Sequence, residues 1–228
     1  MSGIPRNPWL DIPGERPFVL DSDAAAIQVF NRRAPARFKI LSIGAARRLP
    51  CTLGLMVAAV STATFICPHC GQVHGGWPTD YGFTLPDTVW AIPESERGAR
   101  AKWTTDLWRM GERYFIRGLL RTRFTDRPGY FGWGLWVEVE ASVFNRYLAL
   151  YDRDASSEPP HQGQLANQPP GYQSLLNVPL SIQFSSSTER PELRFPLEAR
   201  SELAREQRSG IDSRRYHEIL VAVGAIEP

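Results

Sequence analysis

The chain is 228 residues long, 43% hydrophobic, 22% charged and 11% aromatic, which supplies enough apolar mass for a core and excludes wholesale disorder and fibrous repeats. Its 26 basic and 24 acidic residues leave a net charge of +2, so no global field selects nucleic acid or an acidic membrane as partner. Three cysteines, Cys51, Cys67 and Cys70, are too few for a disulfide framework and point to a metal site or redox pair in a reducing, cytoplasmic setting.

The segment Met1–Asp11 is polar and proline-rich, unlike a secretory signal. Pro5, Pro8, Pro13 and Pro17 space out an extended leader, after which Asp21 or Asp23 can cap a short helix, Ala24–Arg33, ended by Pro35. The run Asn7–Asp11 resembles the opening of another group of uncharacterised bacterial proteins, a likeness that stops near Ile40. A helix and a coil cannot bury a core alone, so residues 1–58 are expected to be an appendage. It reads as a fusion remnant, or as an over-extended start with Met56 the true initiator. The uncharged stretch Leu49–Ile66 reaches the lower limit for a membrane helix, about 18 residues. Pro50, Gly54 and four hydroxyl side chains argue against a span, and no membrane association is expected.

Residues 59–228 pattern as a single α+β domain. Ala63–Ile66 reads as a strand running into a cysteine turn, and Pro93 with Glu94 and Glu96 opens a helix through Trp103. Thr105–Met110, Arg113–Phe124 and Tyr130–Glu140 follow as strands, with Gly111 and Pro128-Gly129 at the turns. Ser142 can cap a helix from Val143 to Tyr151. Asp152–Gln173 is a loop with a short strand around Leu165. Val178–Phe184 and Glu192–Leu197 alternate as a hairpin, with Leu193, Phe195 and Leu197 inward. Ser201 and Asp212 cap the last two helices, and Gly210 terminates the first of them. Strands in runs followed by helices predict an antiparallel sheet with helices packed on one side.

The sharpest local feature is Cys67-Pro68-His69-Cys70-Gly71 with His74 beyond it. Two thiolates two residues apart can chelate one tetrahedral zinc, and His74 is a reachable third ligand. Asp80, Asp106, His161, His217 or water are candidates for the fourth position. The favoured reading is a non-catalytic structural or interaction module with a zinc knuckle and a protein partner. With water in the fourth position the same ligands describe a zinc-dependent enzyme. Cys-Pro-His-Cys also serves thiol–disulfide exchange, but that chemistry needs a helix starting at the motif, and Gly75, Gly76 and Pro78 cannot sustain one.

Two further patterns carry chemistry. Arg113, Phe115, Arg117, Leu119, Arg121 and Arg123 share one strand face; arginine interleaved with an aromatic can clamp phosphates, although a solvated outer sheet face gives the same pattern and is preferred. In Phe131–Trp136, Phe131, Trp133 and Leu135 face the core while Gly132 and Gly134 leave the other face bare beside Trp136. Asp80, Tyr81, Trp133 and Trp136 are therefore candidates for a binding cleft, with Tyr172 an alternative to Tyr81 in its lining, although tight packing of an overlying loop or helix gives the same pattern and is preferred. The acids Glu138 and Glu140 share a strand face but carry no specific catalytic signal.

From Phe65 to about Ala222 the chain resembles the bacterial family known as domain of unknown function 2199. The blocks that carry the likeness include Cys67–Gly71 with His74, Asp80–Phe83, Leu85-Pro86-Asp87, Val89–Glu94, Gly111–Gly118, Phe131–Val139, Leu165-Ala166-Asn167, Pro170-Gly171-Tyr172 and Leu203–Ile211. The resemblance implies one soluble domain and assigns no reaction. Many relatives have a cysteine at the position of Trp108, a departure that removes one candidate for the fourth zinc ligand.

Overall fold

The computed structural model describes residues 38–43, 64–66, 73–75, 78–103 and 106–226, with 38–43, 64–66, 73–75, 78–79 and 98–103 described as backbone alone. The expected helix Ala24–Arg33, Cys51, Met56, the uncharged stretch as far as Ala63 and the turn Cys67–Gly71 lie outside the described residues.

The strands, in chain order, are β1 (Phe38–Ile43), β2 (Thr64–Ile66), β3 (Val73–Gly75), β4 (Pro78–Phe83), β5 (Ala101–Trp103), β6 (Leu107–Met110), β7 (Arg113–Arg123), β8 (Tyr130–Val139), β9 (His161–Leu165), β10 (Pro179–Gln183) and β11 (Glu192–Arg194). The helices are α1 (Asp87–Trp90), α2 (Glu94–Arg100), α3 (Ala141–Ala149), α4 (Glu202–Ser209) and α5 (Ser213–Ala222). The helix expected through Trp103 stops at Arg100, and Ala101–Trp103 instead pairs antiparallel with β6, Trp103 opposite Trp108. Helix α3 starts at Ala141 with Glu140 in the capping position and no side-chain cap bond. The two caps near the C-terminus form as their residue types dictate: Ser201 Oγ accepts the Ala204 N–H at 3.3 Å and Asp212 Oδ1 the Arg215 N–H at 2.8 Å.

Strands β7 and β8 form an antiparallel hairpin with ten opposed pairs, from Tyr114 opposite Val139 to Arg123 opposite Tyr130. Each has more length than one neighbour can cover, so each outer edge serves two. On β7, strand β6 pairs along Arg113–Ile116, and β11 joins in parallel with Glu192 opposite Leu119. On β8, strand β4 lies parallel along Gly132–Gly134, and β9 runs antiparallel at Val137 and Glu138. Because β9, β10 and β11 are paired in succession, β7, β8, β9, β10 and β11 close on themselves as a five-stranded barrel. The pair β4 with β1 and the pair β6 with β5 extend from it as wings of a nine-stranded sheet.

This closed, mixed barrel replaces the expected antiparallel sheet with helices on one side. Alternation along a strand specifies its inward face, but closure depends on how strongly the sheet coils. Here glycines let it coil: a side chain at Gly118 or Gly163 would strike Leu193 or Val137, so the walls touch where a flat sheet would diverge. Ile116, Leu120, Leu135, Val137, Leu165, Leu180, Ile182 and Leu193 fill the interior and are fully buried, each contributing about 1.5–3 kcal/mol of transfer free energy. The helices sit at opposite ends. Phe144 and Tyr147 of α3 pack on Tyr114 and Phe184, with ring centroids 5.2 and 4.9 Å apart. Tyr216 of α5 meets Phe124 and Phe131 at 5.4 and 5.8 Å, beyond the far end of β7. Leu197, expected inward, is 84% exposed because β11 ends at Arg194 and the chain turns at Pro196.

Replacing Gly163 by alanine places a methyl 2.9 Å from the Glu138 carbonyl oxygen and against Val137 and Val139. The variant is expected to lose about 1–3 kcal/mol of stability by urea denaturation, with an unchanged transition slope.

Candidate functional site

Period-two geometry separates the residues of the expected cleft. Tyr81 and Trp133 are opposed across the parallel β4–β8 pair and point to one face, whereas Asp80 and Trp136 lie on the other. On the first face Trp133 meets the edge of Tyr172 at 6.0 Å, and the Tyr172 hydroxyl donates to Glu206 at 2.5 Å. Burial, reinforced by Glu206, raises the Tyr172 pKa, and burial raises that of Tyr81. The Tyr81 hydroxyl and Trp133 indole N–H have no acceptor among the described residues. On the second face Asp80 lies directly over Gly132, where any side chain would collide with its carboxylate, so the bare glycine face is occupied from within the chain.

The two forks, where each long strand changes neighbour, lie level with each other, because Arg117 of β7 is opposite Trp136 of β8. The β8 fork is closed by an amide clasp. Asn167 Oδ1 accepts the Trp136 backbone N–H at 2.8 Å, while its Nδ2 donates to the Leu85 carbonyl and Asp87 Oδ1, both at 2.9 Å. Asp87 Oδ2 accepts the Gln168 N–H at 2.9 Å, and the Trp136 indole donates to the Phe83 carbonyl at 3.2 Å. The blocks Leu85-Pro86-Asp87, Phe131–Val139 and Leu165-Ala166-Asn167, which carry the family resemblance, thus meet in one hydrogen-bonded lock.

The β7 fork is charged. The Arg117 N–H donates to the Asp106 carbonyl at the start of β6, and two residues on the Leu119 N–H donates to Pro191 before β11, at 2.9 and 2.8 Å. From those two strand starts Asp106 and Arg190 pair, Arg190 Nε to Asp106 Oδ1 at 2.6 Å, with Asp106 only 2% exposed. Arg117 lies beside them, 5% exposed, its guanidinium 5.8 Å from the Trp136 ring centre. Its Nε and Nη2 are sealed from solvent and have no hydrogen-bond partner among the described residues. Burial above all, then repulsion from Arg190, pulls its pKa down to about 9 against the opposing pull of Asp106, which leaves it a cation at neutral pH.

The arginine row of β7 is a solvated sheet face only in part: Phe115 and Arg117 are buried, Arg113, Leu119 and Arg121 are half-buried, and Arg123 is exposed. Arg113 holds Glu138 through Nε and Nη2 at 2.7 and 2.6 Å, and Arg121 stacks on Tyr130 at 5.2 Å. Glu138, so engaged, forms no carboxylate pair with the exposed Glu140. Among the candidates for a fourth zinc ligand, Asp106 is held by Arg190, the His161 ring packs on Phe184 at 4.6 Å, and His217 is buried in α5. Cys67 and Cys70 lie outside the described residues, and His74 is described only as backbone in β3. Among the described residues no group of three His, Cys, Asp or Glu side chains is placed to hold a metal, and no helix is long and apolar enough to cross a membrane. Arg190 and Asn167 bore no sign of these roles in the sequence, since nothing in their spacing says which fork each will fill.

A model of the family described as "Uncharacterized protein conserved in bacteria (DUF2199)" matches residues 66–211, well over half of the chain. No curated protein and no solved structure matches.

The two forks predict opposite responses. Asn167→Ala strips partners from the buried Trp136 N–H and Asp87 carboxylate and is expected to lower stability by about 2–4 kcal/mol. Arg117→Met removes an unpaired buried charge and is expected to raise stability at pH 7 by about 1–3 kcal/mol in chloride buffer. Urea titrations at pH 7 read both effects.

Proposed function

The chain belongs to the DUF2199 family of uncharacterised bacterial proteins, and within that family we propose that it is a non-catalytic binding module carrying a zinc knuckle. In this reading Cys67, Cys70 and His74 hold the ion, and a protein partner or small ligand meets the barrel. The observation that supports it is the pairing of β2 with β3, Phe65 opposite His74 and Ile66 opposite Val73, on either side of residues 67–72. These two strands form a sheet of their own, three residues each, separate from the nine-stranded sheet. A ribbon that short is marginal in water, and a metal held by its connecting turn supplies the missing stabilisation. Zinc there closes the ribbon and serves as a structural cross-link.

The strand Val73–Gly75 also weighs against thiol–disulfide exchange, since it follows Cys70 where that chemistry needs the first turn of a helix. Trp108 is buried on the face it shares with Phe115, so the fourth ligand in this reading is water or another residue. Thiolates kept free to bind metal suit a cytoplasmic protein.

Metal analysis of the full chain purified with zinc available tests this proposal. One zinc per chain is expected, lost in both Cys67→Ser and Cys70→Ser, with the hairpin amides exchanging faster in each variant. Metal-free protein, or zinc retained by both variants, defeats the reading.

A further inference from the structure

We infer that the fork beside Arg117 binds a carboxylate group carried by a small molecule, gripped by the Nε–Nη2 edge of that side chain. This deepens the reading of the chain as a binding module by naming the class of ligand. The protein itself shows what that edge holds. Arg113 engages Glu138 through Nε and Nη2 at 2.7 and 2.6 Å, and Arg146 engages Glu158 through the same two atoms at 3.0 and 2.6 Å. In both cases the two parallel donors match the two oxygens of one carboxylate. Arg117 presents the same pair, and there alone among these three the pair is sealed from solvent with no acceptor. A buried polar group without a partner is rare, and a buried cation without one is rarer still.

Position and charge agree. Arg117 stands where β7 exchanges β6 for β11 as neighbour, at a break in the ladder that no strand spans. The charges that act on Arg117 are Arg190 and Asp106, with the repulsion stronger than the attraction, so the fork carries an excess positive charge. One monoanion neutralises it, whereas a dianionic phosphate overshoots in a site with little water to screen it. The Trp136 ring, 5.8 Å from the guanidinium, offers an apolar wall for the body of the molecule, which favours a carboxylate on a flat or aliphatic group over a bare ion.

The test uses the full chain, with sodium acetate and sodium benzoate as probes and sodium chloride and inorganic phosphate as controls at matched ionic strength. Thermal unfolding and tryptophan fluorescence are read together. Acetate and benzoate are expected to raise the unfolding temperature saturably, benzoate at the lower concentration, with apparent Kd values of about 1–30 mM. Phosphate is expected to act no differently from chloride. Arg117→Met should weaken both carboxylates at least about tenfold, and Arg117→Lys, which keeps the charge but not the fork, should weaken them as well. No carboxylate-specific shift, an equal shift in the Arg117→Met and Arg117→Lys proteins, or tighter binding of phosphate overturns the inference. Zinc content is measured on the same samples. Zinc retained while carboxylates fail sinks this site alone, and carboxylate binding in metal-free protein sinks the knuckle alone.

Discussion

Strands β7 and β8 are too long for one neighbour each, and the rest of the structure follows from that mismatch. A ten-pair hairpin offers two outer edges of hydrogen-bonding groups that must find partners, since most of its residues are buried. The chain divides each edge. At one end of the hairpin β6 on β7 lies level with β9 on β8, and at the other β11 on β7 lies level with β4 on β8, so β9, β10 and β11 close the barrel diagonally while β4 with β1 and β6 with β5 form the wings. Closure removes the exposed edges that an open five-stranded sheet presents for aggregation.

Dividing an edge leaves a break in the ladder, and the two breaks are filled by opposite means. At Trp136 the filler is neutral: an asparagine satisfies a backbone donor, a backbone carbonyl and a carboxylate at once, in the manner of a strand residue that is not there. At Arg117 the filler is ionic: one ion pair, Arg190 with Asp106, is complete, and a second cation beside it is not. A fully satisfied network rigidifies the fold, while a half-satisfied one costs stability. Two solutions to one geometric problem on opposite edges of one hairpin therefore carry different energies, and the costly one is where a ligand has something to gain.

Local structure was largely legible in the sequence. The strands Arg113–Phe124 and Tyr130–Glu140, the inward set Phe131, Trp133, Leu135, Val137 and Val139, and the caps Ser201 and Asp212 all follow from alternation and hydroxyl or carboxylate chemistry at helix starts. Barrel closure was not, because parallel pairs such as Glu192 with Leu119 join residues with no local signature. The arginine row was legible in part for a related reason: alternation places its members on one face, and nothing in the row announces that Phe115 and Arg117 are covered while Arg123 stays exposed. The expected cleft is the instructive case. Neighbouring residues on a strand point apart, so Asp80 and Tyr81 could not share a face, nor could Trp133 and Trp136, and that much was readable without coordinates.

A guanidinium edge with no acceptor among the described residues also bears on how the domain is kept folded. A cation that lowers stability when alone raises it when matched, by an amount set by the concentration of its partner relative to the dissociation constant. The barrel is thus more stable with the fork filled than empty, with the gain transmitted first to the strands that meet there. Those strands are β6 and β11, whose starts supply Asp106 and Arg190, and both are short: four and three residues. Short strands open at low free energy, so they are the elements whose protection a ligand at Arg117 can alter most. The clasp at Asn167 holds the opposite edge in either state. One side of the hairpin is accordingly fixed while the other responds to occupancy, an asymmetry that follows from placing an amide at one break and a charge at the other.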